Sequence, residues 1–221
     1  MSDESSLIKI DYFSDVLCIW AWVSQRRVDE LMKEYHGKLE LSYRFVNVFG
    51  DAVTKLTRLW DGRGGLDGYQ RHIKDVAAQF ELSVHEDVWK KTAPSSSLNA
   101  HLVVQAVSLC SDLNNVTEAL RAIREAFFAH ARDISDFDSL VDIVASLDVK
   151  PSDIRAQLAN GAAAAQLMAD YQLAETFRLR GSPSFVLNQG RQTLYGNVGY
   201  RILQANVEEL INKPEADASW C

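Results

Sequence analysis

"DVLCIWAW" (residues 15–22) places Cys18 between a strand-like run and a helix-like one. Upstream, "LIKIDYFSD" (7–15) alternates and is rich in β-branched and aromatic residues, the pattern of a strand. Downstream, from Ile19 to Tyr35, the apolar positions Val28, Leu31, Met32 and Tyr35 recur at i, i+3, i+4 and i+7. That spacing predicts an amphipathic helix, closed by His36 and Gly37. "LELSYRFVNV" (39–48) alternates again and reads as a second strand. A thiol at such a strand-to-helix turn faces unpaired backbone N–H groups and the positive end of the helix dipole. That field, worth roughly 0.3–1 kcal/mol, is expected to draw the Cys18 pKa down and favour the thiolate nucleophile. The alternative, a small hydrophobe buried by Trp20 and Trp22, stays open at this point.

Working outward, residues 51–160 hold no convincing strand. "GRGG" (62–65) reads as a flexible break, followed by helical spacing in "YQRHIKDVAAQF" (69–80) and a strongly apolar helix, "SLNAHLVVQAVSLC" (97–110). In "NNVTEALRAIREAFFAHA", Asn115 stands three residues before Glu118, an N-cap signature. "FDSLVDIVASL" and "PSDIRAQLA" continue the helical block, with Pro151 placed for a first turn. A long alanine-rich helix (161–180) follows, with Gly181 able to cap it. "SFVLN" and "QTLYG" are short strands joined by the turn residues "NQGR" (188–191), and a last helix covers about 200–212. The chain thus divides into a β-α-β segment (1–50), a helical insertion (51–160), an α-β-β-α segment (161–213) and a tail (214–221).

Composition bounds the chemistry. Of the 221 residues 47% are apolar and 24% charged, which suffices for a large globular core. The net charge of −7, with no basic stripe, argues against nucleic acid or an anionic membrane surface as partner. "MSDESS" opens the chain without an apolar run behind it, and no segment approaches the length of a membrane span. Three widely spaced cysteines, Cys18, Cys110 and Cys221, make no disulfide framework. The expectation is a cytoplasmic protein. No His/Cys/acid spacing points to a metal.

Near the other end, "RGSPSFV" puts Pro183 behind a small residue and ahead of an apolar strand, a place where a cis X–Pro bond can occur. Cys18, this proline and the element order together resemble the thioredoxin superfamily in its DsbA-like form, an α/β fold whose core carries an all-helical insertion. FrnE-type dithiol–disulfide isomerases are the nearest likeness, with kappa-class glutathione transferases and 2-hydroxychromene-2-carboxylate isomerases further off. "DVLCIWAW" is similar to the family's D-x-x-C-P-W-C-Y, "SLNAHLVVQAV" to a helix of its insertion, "EAFFAHARDISD" to a second insertion segment, and "GSPSFVLNQGRQTLYG" to its cis-proline loop. The likeness covers nearly the whole chain.

The resemblance implies a catalytic site of Cys18 with Pro183 lying against it, its missing N–H leaving the thiolate unblocked, and Trp20 and Ala21 beside them. It implies that the Ser182 backbone pairs with the cysteinyl part of glutathione or with a peptide. Asn197 stands near the place where glutathione-using relatives carry an acid for the glutamyl amine. Two departures matter: Ala21 replaces the second cysteine and Ile19 the proline. Alanine cannot resolve a mixed disulfide, so the implied reaction is monothiol exchange, with glutathione or a protein thiol as the second thiol. The rivals are a glutathione-dependent isomerase or transferase acting on a small aromatic molecule, and a degenerate peptide-binding module. A homodimer is a further implication, because several relatives dimerise. By itself the sequence favours a structural role for Trp22, His101 and Cys110, and gives Cys221 access to Cys18 only if the tail folds back.

Overall fold

The structure, a computed structural model, describes residues 7–213; Cys221 and the tail expected over 214–221 lie outside them. Strand β1 (Ile8–Ser14) leads into α1 (Ile19–Glu34) and then β2 (Leu39–Phe45), which pairs with β1 in parallel. Both strands stop short of the expected 15 and 48, because the chain turns at Asp15 and again after Phe45. Strands β3 (Ser184–Leu187) and β4 (Gln192–Tyr195) complete an antiparallel continuation, giving the order β2-β1-β3-β4.

Alternation along β1 explains how both faces of this sheet are buried. Ile8, Ile10 and Tyr12 pack with Val28 and Leu31 of α1 and with Leu203, Val207 and Leu210 of α10 (Tyr200–Asn212). Phe13 points to the opposite face, where it meets Val46, Val186 and Ala174 of α9 (Ala162–Thr176). Successive side chains of a strand point to opposite faces, so one seven-residue element supports two layers.

Between β2 and α9 runs the helical block. It comprises α2 (Ala52–Thr54) with a π-helical continuation over 55–59, then α3 (Gly65–Gln79), α4 (Val88–Thr92), α5 (Leu98–Cys110), α6 (Leu113–Phe128), α7 (Phe137–Ile143) and α8 (Pro151–Ala159). Its core joins Trp89, Phe127, Phe128 and Ile123 to the start of α1. Three local expectations are corrected. "GRGG" is no loose break: residues 61–63 form a 3-10 turn and Gly64, at φ 89°, is the residue from which α3 springs. Asp112 caps α6 by accepting from Asn115 N, so Asn115 lies inside the helix. Helix α9 ends at Thr176, with Arg178 at φ 53°, and Gly181 caps nothing.

Asp170 ties the layers together from α9. Fully buried, it accepts from Arg44 Nη1 (3.2 Å), Phe45 N (3.0 Å) and Gln105 Nε2 (2.5 Å), linking β2 and α5 to α9. Arg44 continues the link to Asp11 on β1.

Candidate active site

Cys18 is the N-cap residue of α1, at φ −85° and ψ 114°. Its carbonyl accepts from the N–H groups of Ala21 and Trp22, and its own N–H donates to Asp15 O, closing the turn that lifts the chain from β1 into the helix. The thiol donates to Ser182 O at 3.3 Å. Ser182 contacts this turn twice, because its Oγ also accepts from Asp15 N at 2.9 Å. The Ser182–Pro183 bond is cis, and proline has no N–H to compete for that carbonyl or for the sulfur. The sequence-distant ends of the core therefore meet at one sulfur.

Asp15 is the knot of the turn. Entirely buried, its carboxylate accepts from Leu17 N, Val48 N, Phe49 N and Ser97 Oγ at 2.8–3.1 Å. His101 stands beside it: Nε2 lies 3.6 Å from Asp15 Oδ1 and accepts from Val16 N at 3.2 Å, while Nδ1 faces Tyr171 Oη at 3.3 Å. The accepting contact places the ring proton on Nδ1. Burial pushes the Asp15 carboxyl up, but His101 and the donors around the carboxylate outweigh it, leaving its pKa below the ordinary value. His101, expected to be structural, thus sits directly under the reactive turn, stacked on Phe45 with ring centroids 4.2 Å apart.

The electrostatics of Cys18 correct the sequence expectation. The residue is only 6% exposed, and burial pushes its thiol above the ordinary value. The Ser182 contact and the N–H groups of Ala21 and Trp20 pull it down but do not prevail, and the nearby Asp15 pushes it further up. The helix end is present, as its position predicts, but desolvation of the charged form exceeds what a helix terminus contributes.

Above Cys18 opens a cleft of about 320 Å³. A continuous aromatic cluster lines it: Trp20, whose ring centroid lies 5.9 Å from His72 and 6.0 Å from Phe80, and Trp60, against Tyr69 at 4.8 Å and the same His72 at 5.3 Å. Lys55, Arg63 and Arg180 also line it, with Gly181, Ser182 and Tyr195. A Cβ at Gly181 would come within 2.9 Å of Tyr195 Oη, so a larger residue there would have to displace the exposed tyrosine ring. Of the lining residues, Lys55, Trp60, Arg63, Tyr69, His72, Arg180 and Tyr195 were not singled out in the sequence; the signal available for most of them was the density of aromatic and basic residues around "GRGG" (62–65), read there as a break.

The remaining implied residues divide. Ala21 is buried, with its carbonyl accepting from Tyr12 Oη at 3.2 Å, so it borders the thiol through its backbone N–H and its side chain faces the core. Asn197 does not line the cleft; it accepts from Arg27 Nη1 at 2.5 Å on an exposed surface. Trp22 stacks on Phe128, with centroids 5.0 Å apart. Asn99 donates to Ser135 O at 2.6 Å. Cys110 is half-buried at the end of α5, against the helical core. Among the described residues no group of three or more His, Cys, Asp or Glu could hold a metal ion, and no helix is long and apolar enough to cross a membrane.

Comparison with known proteins places this geometry. No curated protein matches the chain at a significant level. Among solved structures, a candidate protein disulfide isomerase from Nitrosomonas europaea superposes with a TM-score of 0.78 at 16% identity, covering 94% of this chain and 99% of that one. The cytosolic disulfide reductase DsbM from Pseudomonas aeruginosa, solved with GSH, gives 0.65 at 17% identity over 90% and 99% of the two chains. A 2-hydroxychromene-2-carboxylate isomerase gives 0.65 at 16%, over 96% and 100%. At such identities these likenesses establish the fold. A family model described as a DSBA-like thioredoxin domain matches residues 9–208, and the chain belongs to that family.

Proposed function

We propose that this protein carries out thiol–disulfide exchange through the single sulfur of Cys18, with glutathione or a protein thiol as the second thiol, in a reducing compartment such as the cytoplasm. The observation that carries the reading is the placement of Cys18 Sγ, 3.3 Å from Ser182 O beside the cis Pro183, at the base of an open cleft. Ala21 stands where a resolving cysteine would be needed for a self-contained dithiol cycle.

In the forward step the Cys18 proton passes to solvent. The resulting thiolate attacks one sulfur of a disulfide. The Cys18–sulfur bond forms as the old sulfur–sulfur bond breaks, and the other half leaves as a thiolate. A second thiol then attacks the mixed disulfide and returns Cys18 to its reduced form, so no net oxidant is consumed by the protein. While the mixed disulfide lasts, the N–H groups at the head of α1 and the Ser182 loop hold the sulfur in place.

Intact-mass measurement after incubation with oxidised glutathione tests this. One glutathione adduct, reversed by reductant and absent in Cys18→Ser, is the expected result; no adduct on the folded protein refutes it. A second reading, a glutathione-dependent isomerase or transferase, is favoured by the aromatic walls of Trp20, Trp60 and Tyr69, which suit a flat apolar substrate. Turnover of an aromatic substrate that survives Cys18→Ser selects that reading instead.

A further inference from the structure

The cleft carries a charge pattern opposite to that of the chain around it. The protein has 30 acidic and 23 basic residues, yet the cleft is lined by Lys55, Arg63 and Arg180 and by no Asp or Glu. Among the described residues none of these three cations takes part in a salt bridge. Instead, Lys55 Nζ lies 4.8 Å over the Phe49 ring and the Arg63 guanidinium 5.2 Å over Trp60. Those contacts seat the two side chains on the aromatic wall and leave their charge without a counter-ion. Like charges gathered at one low-dielectric wall repel, and they focus a positive potential into the opening. His72 adds no fourth charge: burial holds its pKa below the ordinary value, and Arg63 lowers it further against the opposing pull of Asp75.

Size and access narrow the partner. The cleft has the volume of a small-molecule site, and the nearly enclosed Cys18 is ill placed to meet a cysteine carried on a bulky folded protein. We propose that Lys55, Arg63 and Arg180 form an anion receptor around Cys18 that selects low-molecular-weight disulfides bearing carboxylates over neutral, cationic or protein-borne ones. This rests on the exchange reading above and narrows it from thiols in general to small acidic ones. The cations attract the carboxylates of the incoming disulfide R–S–S–R. As the Cys18 thiolate attacks, Cys18–S–S–R forms and RS⁻ departs with the electron pair of the broken bond, taking up the proton that Cys18 released. The receptor therefore also favours the negative charge created on the leaving half.

Three disulfides of similar length test it: 3,3′-dithiodipropionate (dianionic), 2-hydroxyethyl disulfide (neutral) and cystamine (dicationic). Cys18 adduct formation is followed by mass, and each rate is divided by that of free 2-mercaptoethanol with the same disulfide. The expected normalised order is anion over neutral over cation, with about tenfold or more between the first two at low salt. The preference should shrink on adding salt and collapse toward unity in Lys55→Met/Arg63→Met/Arg180→Met. Arg155→Met, which removes an exposed cation of α8 paired with Asp138 of α7, should leave the ratio as it was. Equal normalised rates for the three disulfides overturn the receptor while leaving the exchange reading intact.

Should no disulfide label Cys18, the exchange reading fails and the receptor is read separately. Tryptophan fluorescence is titrated with S-methylglutathione, which has two carboxylates and no exchangeable sulfur. A saturable change that the triple variant loses retains the receptor. The absence of any saturable change, or one that the triple variant keeps, removes it.

Discussion

The floor and the walls of the cleft are built by different parts of the chain and in different ways. The floor, formed by Cys18, Asp15 and Ser182, belongs to the thioredoxin-like core, and almost every polar atom there is engaged by hydrogen bonds to backbone. Most of the walls, Lys55, Trp60, Arg63, Tyr69 and His72, come from the helical block and are held by ring packing and long side chains. A hydrogen-bonded floor fixes where the sulfur is, within tenths of an ångström. Walls of stacked rings and free cations set which molecules reach it and tolerate exchange of their parts. In the proposed exchange, chemistry and partner choice fall to separate segments.

The most severe way to break this contrast is at the floor. Asp15→Ala leaves three donors, Leu17 N, Phe49 N and Ser97 Oγ, without their acceptor and is expected to cost roughly 3–5 kcal/mol in urea unfolding; a loss below about 1 kcal/mol would show that the floor is no more rigid than the walls. The same carboxylate gives an acid arm. Its pKa is lowered in the folded state, so the unfolded chain binds the proton more readily. Its contribution is present above the ordinary carboxylate range and is lost as pH falls through the depressed value. Asp15→Asn should flatten that part of the stability profile relative to wild type.

Next in size is the thiol itself. The folded Cys18 pKa is raised above the ordinary value near 9, so above that value the unfolded chain gives up the proton first. Stability should fall with rising pH, by about 1.4 kcal/mol per pH unit for one such group, and the slope should lessen in Cys18→Ala. Alkylation by iodoacetamide should follow: the folded protein should titrate at higher pH than the urea-unfolded chain. A folded thiol that reacts fully at neutral pH would instead restore the helix-end expectation.

The smallest effect belongs to the walls. Trp60→Ala removes a half-buried ring and is expected to cost about 1 kcal/mol, while the cis-proline loop and the Cys18 turn stay in place. Its mark should appear as altered relative rates among small disulfides of different bulk. A stability loss as large as that of Asp15→Ala would mean that floor and walls form one unit.

The same division explains what could be read from the sequence. Cys18 and Pro183 were legible because their signals are local: a strand run, a cysteine and a helix stripe, and a proline ahead of an apolar strand. The element order followed from periodicity, so the core architecture was legible too. The direction of the Cys18 shift was not, because a helix start is visible in sequence whereas the depth at which it is buried depends on the helical block packed over it. His101 looked like an apolar-helix histidine, which it is; only the fold carries it under the Asp15 turn. The Lys55, Arg63 and Arg180 group lies in no motif, and it assembles through the π-helical and 3-10 turns after β2 and the chain before β3. Asn197, a position suggested by likeness, has its side chain engaged by Arg27 and stands apart from the residues that line the cleft.

Ser182 holds the Cys18 turn from 164 residues further along the chain. During synthesis the cysteine leaves the ribosome well before the carbonyl that will receive its hydrogen. Until that later segment has emerged and docked, this sulfur lacks its native environment, so its reactivity waits on chain made long after it.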